Sequence, residues 1–415
     1  MLGASSDRKF AETLDSFIDR TVGSTCVLVT QNGRVVYAHA PADTLAPAST
    51  IKLLTGVAAI ELLGADTRLT TRVVSAHEPA DGVVDGDLTI IGSADPLLVT
   101  PGYKQSLEDP DQVTEDLGDL ADAIVAAGVR RVTGSIIGDE TAIDRTRWIP
   151  SWPSRYQIGG VVAPLSALLV NDGQTGFVEH PERPTADRKP GEPAVLAAAT
   201  LRTLLIGRGV SVDGGAAAGT APPEAFEVAT FDSLPVREIV GEMLSDSDNT
   251  TAELLTRLMG RQVSGSGTTA AGIEAIRGAL IGLGLDLDGL VMLDGSGLDT
   301  SNRASCALLL QTLERLPADG QIDSHLSVAG RSGTLRKRLL GTAAVGKVRA
   351  KTGTLSTVNA LAGFADPRAG SPLTFAMIQN GSDPRGTGVT DGFAERVVSF
   401  ADGRRVEPLL PLPAR

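Results

Sequence analysis

A serine and a lysine three residues apart are the smallest arrangement in this chain that could make a nucleophile. They stand at Ser49-Thr50-Ile51-Lys52, at the head of an apolar stretch that runs on to Ile60. A serine hydroxyl is a poor nucleophile at its free pKa and needs an adjacent base. Positions i and i+3 of a helix share a face, so Lys52 can reach the Ser49 hydroxyl. Burial in the apolar helix that follows would depress the lysine's proton affinity and let it accept the serine proton. The spacing alone is a weak signal, because it recurs at Ser6-Asp7-Arg8-Lys9, where a charged N-terminus offers no reason for a shifted lysine.

Two further groups have the right chemistry. Ser247-Asp248-Asn249 offers a hydroxyl that can relay a proton and an amide that can both donate to and accept from a peptide bond. The same three residue types also favour a helix cap. Lys351-Thr352-Gly353-Thr354 offers an ammonium and two hydroxyls for a carboxylate, with a glycine that lets backbone approach a ligand. Lysine is scarce in this sequence, and two of its few lysines fall in these motifs.

In the order SxxK, SxN, KTG, the trio resembles the signature of penicillin-binding proteins and class A β-lactamases. The long gap between Lys52 and Ser247 narrows the resemblance to the D-alanyl-D-alanine carboxypeptidase/endopeptidase family of class C low-molecular-mass penicillin-binding proteins, which carry an insertion there. Further matching stretches are residues 88–97, residues 163–168, Asp294-Gly295-Ser296-Gly297-Leu298 with Asn302 and Ser305, and residues 329–335. The likeness runs from Ser24 to Phe400. It implies Ser49 as the acylated nucleophile, Lys52 as its base, Ser247 as the relay to the leaving D-alanine and Asn249 as a holder of the substrate amide. Lys351 would tune Ser247 and attract the terminal carboxylate, which Thr352, Gly353 and Thr354 would bind. The backbone N–H groups of Ser49 and Thr354 would form the oxyanion hole. It also implies no cofactor, peptidoglycan stem peptides as substrate, β-lactams as covalent inhibitors, and secretion to the cell envelope with a signal peptide already removed. A β-lactamase or esterase on the same fold is the nearest alternative, and a non-catalytic cell-wall binding protein a more distant one. An α/β-hydrolase is disfavoured, since the chain has no GxSxG elbow.

These motifs need a scaffold. Near the start, two β-rich runs flank Gln31-Asn32-Gly33, and Asn-Gly between such runs predicts a hairpin with a primed turn. Residues 359–364 and 373–378 predict a second antiparallel pair, just after the lysine-threonine-glycine run. Helical periods at 10–18 and 391–400 flank the whole. The expected fold class is α+β, a penicillin-binding-protein/β-lactamase-like transpeptidase fold, with an antiparallel sheet built from both ends of the chain and covered by helices. Residues 1–66 and 235–415 would form it. Residues 67–234, rich in β-runs, Gly, Pro and Asp, read as an inserted β-rich module of one or two subdomains, punctuated by prolines at 181–184 and 222–223.

With 415 residues, 42% hydrophobic and 21% charged, the chain can bury a large core. A formal net charge of -13 disfavours nucleic acid and anionic membrane as partners. No run of 18 apolar residues is present, so no transmembrane segment is expected. The four histidines lie at no metal-ligand spacing, and no metal is expected. Cys26 and Cys306 form no CxxC pair; each sits in an apolar run and is expected as a buried free thiol, with a long-range disulfide as the alternative.

Overall fold

The computed structural model describes residues 2–107, 111–175, 189–190, 192–315 and 323–400. The prolines at 181–184 lie outside the described residues. Both ends of the chain meet in one six-stranded antiparallel sheet. Its order is Ser327–Val328, Val348–Leu355, Val358–Ala365, Leu373–Asn380, Ser24–Gln31, Arg34–His39. The first hairpin turns at Asn32 and Gly33, both at positive φ, as a primed turn demands. Strand Ser24–Gln31 then pairs along its whole length with Leu373–Asn380, from Ser24 opposite Asn380 to Gln31 opposite Leu373.

Side chains alternate across this sheet with period two, and each face has its own core. Val27, Val29, Leu361, Phe375 and Met377 point to one side. There they pack with helices Leu2–Ile18 and Gly388–Ser399 through Leu14, Phe17, Phe393 and Val397. Cys26, Ala360, Ala362, Ala376 and Ile378 point to the other, against a layer that includes helices Lys52–Leu63, Val236–Ser245, Asn249–Ser264 and Cys306–Glu314. Three of those five sheet residues are alanines, which lets helix Cys306–Glu314 lie close to the strands, with helix Lys52–Leu63 packed among the helices beyond it.

The chain leaves this layer along strand Arg68–Ser75 and returns along Phe226–Pro235, and the two pair antiparallel. They belong to a five-stranded mixed sheet ordered Ala216–Ala218, Ile136–Asp139, Leu88–Ile91, Arg68–Ser75, Phe226–Pro235. Leu88–Ile91, Ile136–Asp139 and Ala216–Ala218 run parallel. Parallel neighbours need a crossover of a dozen or more residues, usually helical. Here the crossovers hold helices Leu117–Ala126 and Pro193–Gly207, whose Leu120, Ile124, Ala197 and Leu201 fill the core beneath the sheet. The strand-rich segment thus carries its own helical cover.

One expectation is overturned. Cys26 and Cys306 are joined in a disulfide, with Cα atoms 5.9 Å apart. Cys306 opens helix Cys306–Glu314, which packs on the strand that carries Cys26, and a separation of 280 residues hides that contact from the sequence. Unfolded without reductant, the protein should titrate no thiol, and two after reduction. Replacing both cysteines with alanine should lower stability by about 2–5 kcal/mol, read as a fall in the unfolding midpoint. Two titratable thiols in the unreduced protein would exclude the bond.

Candidate active site

Ser49 lies in a single 3₁₀ turn, Ala48–Ile51, that feeds directly into helix Lys52–Leu63. The residue before it, Ala48, is held at φ 47, a conformation that an L-residue with a Cβ adopts at a cost. Thr50 anchors the turn by donating both its N–H and its hydroxyl to the Pro47 carbonyl. Ser49 itself stays partly open, while Ala48, Thr50 and Ile51 are buried.

Lys52 is wholly buried, and its Nζ contacts three oxygens: Ser49 Oγ at 2.9 Å, Asn249 Oδ1 at 2.7 Å and the Ser296 carbonyl at 2.7 Å. As an ammonium it can donate to all three. As an amine it keeps two N–H bonds for the fixed acceptors and turns its lone pair on the Ser49 hydroxyl. Burial pushes its pKa down to about 8 against the pull of Asp248, Asp294, Glu253 and Glu242. A fall from 10.5 to about 8 corresponds to roughly 3 kcal/mol of bias toward the amine.

Across the cleft stands a second serine–lysine pair. Ser247 sits at φ 63 in the tight connection between helices Val236–Ser245 and Asn249–Ser264. Lys351 Nζ donates to Ser247 Oγ at 2.7 Å and to the Thr352 carbonyl at 3.0 Å. Lys351 is fully buried and held well below the usual lysine range, first by that burial and then by the nearby charge of Lys52. The intervening Asp248 caps the helix by accepting from the Thr251 N–H at 2.6 Å. The Ser-Asp-Asn run is therefore both a helix cap and a cleft wall. Asn249 spends its carbonyl on Lys52 and one N–H on the Val161 carbonyl at 2.7 Å, which leaves one N–H for a ligand.

Strand Val348–Leu355 closes the site. Its neighbour Ser327–Val328 ends opposite Ala350, so among the described residues that edge has no strand partner from Lys351 onward. A Cβ at Gly353 would fall 2.7 Å from the Pro47 carbonyl oxygen, so only glycine lets the strand lie against the Ser49 turn. Thr352 is buried and donates to the Thr334 hydroxyl, whereas Thr354 is exposed in the cleft. The cleft holds about 560 Å³ and brings Ser49, Ser247, Asn249, Thr352 and Thr354 to one surface. Lys52 and Lys351 lie beneath it, bonded to the two serines. Ser6 to Lys9 lie in the first helix, outside this group. Among the described residues no cluster of His, Cys, Asp or Glu could hold a metal.

Sequence reasoning had no role for several contributors. Tyr156 and Val161 come from the 67–234 segment and line the cleft, and Thr334 stands beside Thr352. The Asp294-Gly295-Ser296-Gly297 loop supplies the carbonyl that holds Lys52. It is pinned by Asp294, whose carboxylate accepts from the Gly297 and Asp299 N–H groups, the Asn302 amide and the Trp152 indole. A Cβ at Gly297 would overlap the Ala48 carbonyl, so this loop braces the nucleophile turn. The dense Asp-Gly-Ser-Gly run was the visible signal for it.

Comparisons with known proteins fit this arrangement. The model of the D-Ala-D-Ala carboxypeptidase 3 (S13) family matches residues 11–187 and 179–397. The D-alanyl-D-alanine carboxypeptidase of an Actinomadura species is 30% identical over 93% of this chain and 83% of its own length. Carboxypeptidase DacB of Mycolicibacterium smegmatis is 32% identical over 84% of this chain and 74% of its own. The crystal structure of penicillin binding protein 4 from Haemophilus influenzae shares the fold. It has a TM-score of 0.76 at 19% identity, over 92% of this chain and 97% of that one.

The buried amine sets a pH dependence. Ser49 should react with an activated acyl donor at a rate that climbs with pH and levels off above about 8, as Lys52 loses its proton. Lys52→Arg, which cannot deprotonate, should lower that rate by about 10²–10⁴-fold. A rate independent of pH between 6 and 9 would show that another group takes the proton.

Proposed function

The chain belongs to the D-Ala-D-Ala carboxypeptidase 3 (S13) family, and from that premise we propose how its residues divide the reaction. It is a serine-type D-alanyl-D-alanine peptidase that works through an acyl-enzyme. The observation that carries the assignment of roles is the wholly buried Lys52, 2.9 Å from a partly open Ser49 hydroxyl.

In the first step Ser49 Oγ attacks the carbonyl of the penultimate D-alanine while Lys52 takes its proton. The tetrahedral oxyanion forms against the backbone N–H groups of Ser49 and Thr354. Ser247, hydrogen-bonded to Lys351, relays the proton taken by Lys52 to the departing D-alanine nitrogen, which leaves Ser247 a hydroxyl and returns Lys52 to its amine form. Asn249 offers its remaining N–H to the acyl-side backbone. Water then attacks the ester, with Lys52 again as the base, and frees Ser49. Thr352, Thr354 and Lys351 bind the terminal carboxylate, the strongest anion that the substrate presents. Gly353 keeps the strand backbone close enough to share in that binding.

A β-lactam presents a strained amide and a carboxylate in the same relation, so it acylates Ser49 and blocks the site. We assign residues 1–66 and 235–415 to the peptidase unit and 67–234 to an inserted module. The paired strands at its borders and the separate core beneath its sheet support that division. We place the protein outside the cytoplasmic membrane, where peptidoglycan lies. The Cys26–Cys306 disulfide fits an oxidising compartment. Among the described residues no helix is long and apolar enough to cross a membrane.

Ser49→Ala should abolish covalent labelling by a fluorescent penicillin and the release of D-alanine from a stem peptide, while the unfolding midpoint stays unchanged. Labelling that persists at another serine would sink the assignment. Thr354→Val keeps the shape and the backbone N–H but loses the hydroxyl. One hydrogen bond to a charged group contributes about 1.5–3 kcal/mol, so turnover of a peptide with a free terminal carboxylate should fall about 10–100-fold. The matching terminal amide should be poor already and lose little more. Equal losses on both peptides would make Thr354 structural.

A further inference from the structure

Nothing in the reaction so far uses Glu253. It lies on helix Asn249–Ser264, one turn after Asn249, and has no exposed surface. Its Oε1 accepts the Gly295 N–H at 3.0 Å and the Ser296 N–H at 2.8 Å. Those two peptide groups carry the loop whose Ser296 carbonyl accepts from Lys52 at 2.7 Å. The Gly295 carbonyl is fixed from the other side by the Thr55 hydroxyl at 2.8 Å, and Thr55 is one turn along the helix from Lys52. A closed circuit results, from Lys52 through Ser296, Gly295 and Thr55 back to the lysine's own helix, with Glu253 as its only carboxyl.

The second oxygen, Glu253 Oε2, is buried and accepts no hydrogen bond of ordinary geometry, and the buried Ser296 hydroxyl, whose interaction with Glu253 favours the carboxylate, makes none either. A carboxyl with two N–H donors on one oxygen and none on the other is arranged to carry a proton on the bare oxygen.

We propose that Glu253 is the positioning residue that aims Lys52 at Ser49, acting through the Ser296 carbonyl, and that its own protonation state sets how readily Lys52 gives up a proton. This rests on Lys52 being the base. With Glu253 removed, the Ser296 peptide loses both its anchors to helix Asn249–Ser264. One of the two acceptors that orient the amine can then drift, and the lone pair is no longer confined to the Ser49 side.

Several charges face these groups. Lys52 looks onto Asp248, Asp294, Glu253 and Glu242, each favouring its ammonium, with Lys351 across the cleft. Glu253 looks onto Asp294, which raises its proton affinity, and onto Arg257, which lowers it. Burial and Asp294 together push Glu253 up to about 8, so it ionises in the same range as Lys52. A negative Glu253 holds the proton on Lys52, and a neutral group at that position releases it earlier. Removing the ionisable carboxyl therefore moves the acid limb of the reaction to lower pH.

The test measures the acylation rate with a fluorescent penicillin from pH 6 to 9.5 for wild type, Glu253→Gln and Glu253→Ala. Glu253→Ala should slow acylation about 100-fold at the plateau, the scale of a misplaced catalytic group. Glu253→Gln retains an oxygen for the Gly295 and Ser296 N–H groups. It should recover to within about tenfold of wild type, with its midpoint shifted to lower pH. Glu253→Ala acylating within about threefold of wild type would overturn the proposal, and so would an unshifted midpoint in Glu253→Gln. If the alanine variant does not fold, the glutamine midpoint decides alone. A wild type that penicillin does not label at all would instead refute the assignment of Ser49 and Lys52.

Discussion

Burial of an amine beside a hydroxyl is the constraint on which this structure turns. A lysine in water holds its proton far too tightly to serve as a base near neutrality, and only removal from water changes that. Burying it requires a dry interior, so the lysine must stand on a helix inside a core rather than on a surface loop. Helix Lys52–Leu63 meets that demand, with buried Leu53, Leu54, Val57 and Ala58 along its sides. Helices Val236–Ser245, Asn249–Ser264, Thr269–Gly282 and Cys306–Glu314 pack around it and exclude water. The hydroxyl must nevertheless reach solvent and substrate. A strained turn at Ala48 reconciles the two needs, since it leaves Ser49 at the surface and sends Lys52 inward within three residues.

The same logic is repeated at Lys351, and the repetition has consequences. Two buried amines within electrostatic reach cannot both hold protons comfortably, and the charge of one lowers the affinity of the other. The strand that carries Lys351 must approach the nucleophile turn to bring them together, and Gly353 is the residue that allows it. The wall opposite the strand draws on the long 67–234 segment. Trp152, Tyr156, Val162 and Leu165 pack with Leu254 and Leu298 in one small core. Trp152 bonds the same Asp294 that pins the Ser296 loop. The 67–234 segment is thereby tied mechanically to the Ser296 loop, beyond lining the cleft.

How much of this could be read in advance depended on the range of each interaction. Ser49 and Lys52 are legible because i and i+3 on a helix are neighbours by geometry alone. Ser247, Asn249 and Lys351 are legible by their order along the chain, and the hairpin at Asn32-Gly33 by turn chemistry. Cys26 and Cys306 were misread because each looks like an ordinary apolar-run cysteine. Their meeting follows from helix packing 280 residues apart, which no local pattern encodes. Val161 acts through a backbone carbonyl, and so does Ser296. Carbonyls carry no residue identity, so a reading of side-chain types passes over both. Glu253 escaped for a related reason, since a glutamate four residues past an asparagine on a helix looks like surface charge until its burial is known.

That burial also resolves an apparent conflict in the charges. Asp248, Asp294, Glu253 and Glu242 all act to keep Lys52 protonated, and four ionised carboxyls would keep it an ammonium. Two of the four are not ordinary carboxylates. Burial raises the proton affinity of Glu242 well above the usual range, and the nearby Asp248 and Asp246 add to it. Glu253 is raised in the same way by burial and by Asp294. Burial first, and then the acids around them, strengthen the hold of both glutamates on a proton, so crowding carboxyls near the amine adds less negative charge than their number implies. Asp294, by contrast, accepts four hydrogen bonds and holds its loop through them. The site thus separates two duties among similar groups. Asp294 supplies rigidity through its four hydrogen bonds, while Glu253 fixes the Gly295 and Ser296 backbone and, until it ionises, adds no charge that would hold the proton on Lys52.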